Sequence, residues 1–182
     1  MRKRKVILVT DGDRIARDAV EKATANIGGR CISSSAGNPT ELTGSEIIEK
    51  IKEAPKDPVV VMVDDKGYKG VGWGESAMAD ILNCGELDVL GVVAVSSNGK
   101  DCNGLNVSCS VTSDGKIIHS AVDKYGNNTH RNGICGDTLS ILKSRRDLFI
   151  VGMGDPGKMD YRDEVLKGAP VTTKALRIIM EH

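Results

Sequence analysis

Four short runs in this chain, Lys5 to Thr10, Val59 to Val63, Asp88 to Val95 and Leu148 to Val151, are apolar without interruption or nearly so. Strands that read this way, rather than alternating apolar with polar, are buried on both faces, as in a parallel sheet sandwiched between helices. Helical patterns fall between them at Arg14 to Ile27, Ser45 to Glu53, Glu75 to Asn83 and Thr138 to Lys143, and Arg30 to Ser33 supplies a fifth strand. Thr43-Gly44-Ser45-Glu46 has the spacing of a capping box, which places the start of the second helix. The first 96 residues therefore predict β-α-β-α-β-α-β with helices on both faces, a Rossmann-like three-layer α/β sandwich. With 182 residues, one domain spanning 1–182 is the expectation, and Val171 to Met180 closes it as a helix.

The second half adds a hairpin to the mostly parallel sheet. Val107 to Thr112 and Ile117 to Val122 flank Asp114-Gly115, a strong hairpin signal. Closing a two-residue turn there sets Val107, Cys109 and Val111 opposite Val122, Ser120 and Ile118. His119 falls on the other face, among polar residues.

Charge excludes several classes of partner. Twenty-five basic residues balance twenty-five acidic ones, so no net field draws the chain to nucleic acid or to an anionic membrane. Aromatic residues make up only 3%, which leaves few platforms for stacking bases. Arg2-Lys3-Arg4-Lys5 has the sign of a signal n-region, but the apolar run behind it ends at Thr10-Asp11, too short for an h-region. No stretch approaches the roughly 20 apolar residues of a membrane span, so a soluble protein with at most a peripheral membrane role is expected. Five cysteines, odd in number and without a C-x-x-C pair, predict thiols that all stay unpaired. Cys102 and Cys135 fall in loops, where either is placed to be a thiol awaiting His130, although no spacing supports it.

Acidic residues gather at one address. Asp11 and Asp13 follow the first strand, Asp64 and Asp65 the third, and Asp155 the last. These are carboxyl ends of parallel strands, where α/β folds place their crevices, and carboxylates there suit weak binding of magnesium or calcium. The alternative is structural, since Asp13 and Asp65 at such positions also cap free N–H groups. Gly152, Gly154 and Gly157 have dinucleotide spacing without the second βαβ strand. The same stretch is close to a P-loop, but Met159 stands where a hydroxyl is required, so a turn or an anion nest is expected. The glycine-rich loop Gly67 to Gly74 carries Tyr68 and the chain's one tryptophan, Trp73, which serve either as anchors for a protein partner or as an indole folded over the core. Three histidines assemble no nucleophilic triad, and no catalytic residue is expected.

Lys5 to Asp13, Gly29-Arg30-Cys31-Ile32-Ser33, Ser35 to Thr40, Val151 to Met159 and Gly168 to Leu176 together resemble the soluble stage V sporulation protein AE of spore-forming Firmicutes, along essentially the whole chain. The resemblance implies a non-enzymatic component of the SpoVA operon set, which moves calcium dipicolinate into the developing spore and releases it on germination. It further implies a location peripheral to the inner spore membrane and partners among the membrane channel subunits. It brings no catalytic or cofactor-binding residues. The first 96 residues also look like a Toprim-type unit, with Asp11 in place of the usual glutamate and Lys66 at the second acidic position of D-x-D. That likeness implies the scaffold, and as a rival function magnesium-dependent phosphoryl transfer, which the Lys66 ammonium opposes. The remaining rival is a nucleotide-binding module built on Gly152 to Lys158.

Overall fold

Strands that are apolar on both faces require cover on both, and the chain supplies it with helices. The computed structural model describes residues 2–68, 70–97, 102 and 104–182; Lys69, within the glycine-rich loop, lies outside the described residues. The strands are β1 (Arg4–Val9), β2 (Arg30–Cys31), β3 (Val59–Met62), β4 (Leu87–Val95), β5 (Leu105–Asn106), β6 (Cys109–Val111), β7 (Ile117–Ile118), β8 (Gly133–Ile134) and β9 (Ile150–Met153). The helices are α1 (Arg14–Asn26), α2 (Gly44–Glu53), α3 (Trp73–Asn83) and α4 (Pro170–Glu181). Among the described residues, seven strands form one sheet in the order β2-β3-β1-β4-β9-β6-β7, parallel throughout except for β7 at the edge. A separate antiparallel pair joins β5 to β8.

The period of two along β1 assigns the layers. Val6 and Leu8 join Val59, Val61 and Val92 beneath α2 and α3, in a core that includes Ile47, Ile51, Met78 and Ile81. Ile7 and Val9 join Val60, Met62 and Val93 beneath α1 and α4, against Ala19, Val20, Ala23 and Leu176. The result is the expected three-layer, mostly parallel α/β sandwich. The capping box forms as its spacing predicts: Thr43 Oγ1 accepts from the Glu46 N–H, and Glu46 accepts the Thr43 N–H at 2.8 Å.

Helix α4 is held at its start from a distance. The buried Asp163 carboxylate accepts the N–H groups of Val171 at 2.7 Å and Thr172 at 3.0 Å, and the Thr172 hydroxyl as well. Asp163→Ala leaves those donors unpaired in a dry environment, at a cost of about 2 kcal/mol. For a chain of this size that lowers the melting temperature by roughly 4–8 °C, readable by calorimetry.

Three expectations are corrected. The hairpin exists, but Ser110 pairs with Ile118 and Val111 with Ile117, one residue out of the expected register. Gly115 sits at φ +80° and the Thr112 N–H donates to Lys116 O at 2.9 Å, so the loop has three residues, Ser113, Asp114 and Gly115. The extra residue moves every cross-strand partner. Its pairing is also shorter than expected, because the far ends of both strands turn to the loop before β8: the Val107 N–H donates to Asn132 O at 3.2 Å and the Ala121 N–H to Arg131 O at 2.6 Å. Second, Thr138 to Lys143 is not an α-helix. Thr138 has φ +58°, which a helix interior excludes, and only a 3₁₀ turn, Ser140–Ser144, follows. Third, Cys102 and Cys135 form a disulfide with Cα atoms 5.9 Å apart, leaving Cys31, Cys84 and Cys109 free. Neither bonded residue is a thiol awaiting His130. The chain after β4 runs beside the chain after β8, with the Ser97 N–H on Cys135 O at 2.9 Å, a tertiary juxtaposition that cysteine spacing does not encode.

Candidate functional site

The chain leaves β1 for α1 on one face of the sheet and leaves the adjacent β3 for α3 on the other. Neighbouring strands whose connections diverge in this way open a crevice at their carboxyl ends. The loop after β1 packs closely on the loops after β2 and β3 because Gly12 lacks a side chain: a Cβ there would lie 2.5 Å from Gly37 O, whose own residue donates its N–H to Gly12 O at 2.9 Å, and 3.2 Å from Asp64 Cβ. The resulting cavity, of about 260 Å³, is lined by Asp11, Asp13, Asp64, Asp137 and Asp155, with Lys66 and Lys158 among them.

Each carboxylate is fixed locally. Asp11 accepts the Gly12 N–H at 2.8 Å, and Asp13 caps α1 by accepting the Ala16 N–H at 2.8 Å. Asp155 accepts the Gly157 N–H at 2.9 Å and lies 3.4 Å from the Lys158 ammonium. Asp64 accepts the Lys66 N–H at 2.8 Å, while its own N–H is held by Thr40 Oγ1 at 2.8 Å. One oxygen from each of Asp11, Asp13 and Asp155 falls within 4.8 Å of the others. Oxygen donors this close can share a hard divalent cation.

Electrostatics register the crowding. Burial, then the charges of Asp13, Asp155 and Asp64, push the Asp11 carboxyl well above the usual range. Burial, assisted by Asp137 and Asp13 and opposed by the Lys66 N–H, raises Asp64 to about 6. Both groups resist ionisation in the absence of a neutralising cation.

The carboxylates named in the sequence separate into two roles. Asp11, Asp13 and Asp64 meet in the crevice. Asp65 turns instead to the start of α3, where it accepts the N–H groups of Gly74 at 2.7 Å and Glu75 at 3.2 Å, and burial raises its pKa. Asp13 is both cap and crevice wall. Asp155, just past β9, forms the close cluster with Asp11 and Asp13. Asp137 was not apparent in the sequence, because it follows β8 in a loop with no strand-end pattern. It reaches the crevice two residues after the disulfide at Cys135, and it accepts the Gly67 N–H. The glycine motif at the end of β9 forms a turn in which the Gly157 N–H and Lys158 are both engaged by Asp155.

Gly67, itself a wall of the crevice, opens the glycine-rich loop. Trp73, the first residue of α3, is 68% exposed and Tyr68 63%, with Val71 equally uncovered. The indole is therefore not folded over the core. Among the described residues, no helix is long and apolar enough to cross a membrane.

A doubly wound α/β sheet, a carboxylate-lined crevice at its switch point and an aromatic loop at the edge of that crevice define the class of this protein. The chain belongs to the Stage V sporulation protein AE1 family, whose family model matches residues 5–182. Membership makes it a sporulation-related component of the SpoVA set, a family of sporulation proteins and not a known enzyme family. Neither curated proteins nor solved structures give a match.

Proposed function

We propose that the protein is a non-enzymatic accessory component of the spore calcium-dipicolinate uptake and release system, working in sporulation and germination. In this reading it is soluble, sits peripheral to the inner spore membrane and is held there by membrane subunits of the same operon. The family match along nearly the whole chain carries the reading. The uncovered Tyr68, Val71 and Trp73 support it, because large aromatic side chains in solvent on an otherwise well-packed protein suit a partner interface. The crevice, in the same reading, takes up magnesium or calcium weakly through Asp11, Asp13 and Asp64 together with Asp155.

Trp73→Ala tests the partner surface. With the indole already in solvent, truncation leaves stability within about 0.5 kcal/mol, while co-purification with the membrane subunits from sporulating cells falls about tenfold or more. A large drop in melting temperature with unchanged co-purification would return Trp73 to a structural role.

Magnesium-dependent phosphoryl transfer is the rival, favoured by the 4.8 Å cluster of Asp11, Asp13 and Asp155. Lys66 and Lys158 on the same walls weigh against it, since two ammonium groups oppose the second cation that two-metal chemistry uses.

A further inference from the structure

A second open surface lies on the α1 side of the sheet, built from elements that neither the crevice nor the aromatic loop uses. After β9 the chain turns through residues 156–161 and runs into the 3₁₀ turn Val165–Lys167, which packs beside α1. Between them is a groove of about 780 Å³. Its floor is Ala19, and its walls expose Ile15, Tyr125, Tyr161, Val165 and Leu166. Leu166 is 93% exposed and Tyr161 68%. Side chains this large and apolar, grouped on one surface, mark a site that another molecule covers.

The backbone holds them outward at a cost. Asp160 and Tyr161 are consecutive residues at φ +50° and +57°, a conformation unfavourable for any residue with a side chain. Such conformations persist where surrounding structure enforces them and are concentrated at binding and switch sites.

The rim identifies the occupant. Asp18, Asp160 and Glu164 line the groove beside the apolar walls, whereas Lys158, the one basic lining residue, lies 3.4 Å from Asp155. Arg17 reaches Asp18 only at 3.9 Å, and Lys167 turns its ammonium onto Tyr161 O at 2.8 Å. Lys124 adds an ammonium 5.0 Å over the Tyr125 ring, yet carboxylates outnumber cations along the lining, which favours a basic segment over an anionic lipid surface. We infer that this groove is a docking site for a partner-protein segment that carries large apolar side chains with lysine or arginine beside them. The inference stands independently of the proposed role of Trp73.

The test uses the full-length protein and two labelled synthetic amphipathic peptides, one of leucine and lysine and one of leucine and glutamate, read by fluorescence anisotropy. The leucine–lysine peptide binds and the leucine–glutamate peptide does not. Leu166→Asp and Tyr161→Asn each weaken binding about tenfold or more, as loss of a central apolar anchor does. Glu164→Lys also weakens it and flattens its dependence on salt. Leu166 and Tyr161 lie in solvent, so circular dichroism and melting temperature stay as in the wild type. Equal binding of both peptides overturns the proposal, as does undiminished binding by the groove variants. So does self-association, or binding to phosphatidylglycerol vesicles, that Leu166→Asp abolishes, since either assigns the groove to a different occupant.

Discussion

Removing the Cys102–Cys135 bond, by reductant or by Cys102→Ser with Cys135→Ser, lowers the melting temperature by roughly 6–16 °C. The bond joins residues 33 apart in sequence. Closing a loop of that length in the unfolded chain stabilises the fold by roughly 3–4 kcal/mol. At about 2–4 °C per kcal/mol for a domain of this size, the stated fall follows. The effect reaches the crevice as well, because Cys135 holds the segment that delivers Asp137 to its wall. Thiol titration in denaturant without reductant finds Cys31, Cys84 and Cys109 and no others. Five reactive thiols, with a melting temperature indifferent to reductant, would restore the expectation of unpaired cysteines.

Magnesium or calcium at about 100 times its dissociation constant raises the melting temperature by roughly 5–10 °C, through about 2.7 kcal/mol of added stability. The sign of the pH dependence follows from the raised carboxyls. Asp64 titrates at about 6 in the folded protein and near 4 when unfolded, so between those values the folded state binds more protons. Without metal, stability therefore falls as pH rises from about 4 to 6, and a cation restores it. Cation affinity climbs over the same window as Asp64 gives up its proton. Asp64→Asn removes the metal-induced shift. In the metal-free protein at neutral pH it adds about 1 kcal/mol by relieving a charge that solvent only partly screens. DNA, RNA and nucleotides are not hydrolysed. If no divalent ion at millimolar concentration moves the melting curve, the carboxylates act as caps and turn residues only. If pure protein hydrolyses nucleic acid and Asp64→Asn stops it, the phosphoryl-transfer reading prevails.

What the sequence made legible depends on whether the signal was local. Val6 to Val9 and Val59 to Val63 could be read as parallel strands because burial on both faces leaves no polar position in them. Thr43 with Glu46, and Asp13 before α1, could be read as caps because capping partners lie within one turn. Four of the crevice carboxylates, Asp11, Asp13, Asp64 and Asp155, were visible for a similar reason, since a residue just past a parallel strand is at the crevice edge by topology. Where long-range geometry decides, the sequence was silent. Asp65 and Asp64 are adjacent and alike in type, yet one caps α3 and the other faces the crevice. The hairpin slipped one register on the conformation of Gly115, and Asp137 and the disulfide depend on which loops lie side by side. The groove beside α1 was invisible because Ile15, Tyr125 and Tyr161 belong to three different segments and form a surface only once folded.

Spores report on the central claim directly. When the gene is deleted and replaced by wild type or by the Tyr68→Ala, Trp73→Ala variant, calcium-dipicolinate accumulation during sporulation and its release on germination can be followed in the same cells. Deletion is expected to slow accumulation or release, wild type to restore it, and the double variant, folded and abundant, to leave it slow. Spores without the protein that load and release calcium dipicolinate at the wild-type rate would contradict it.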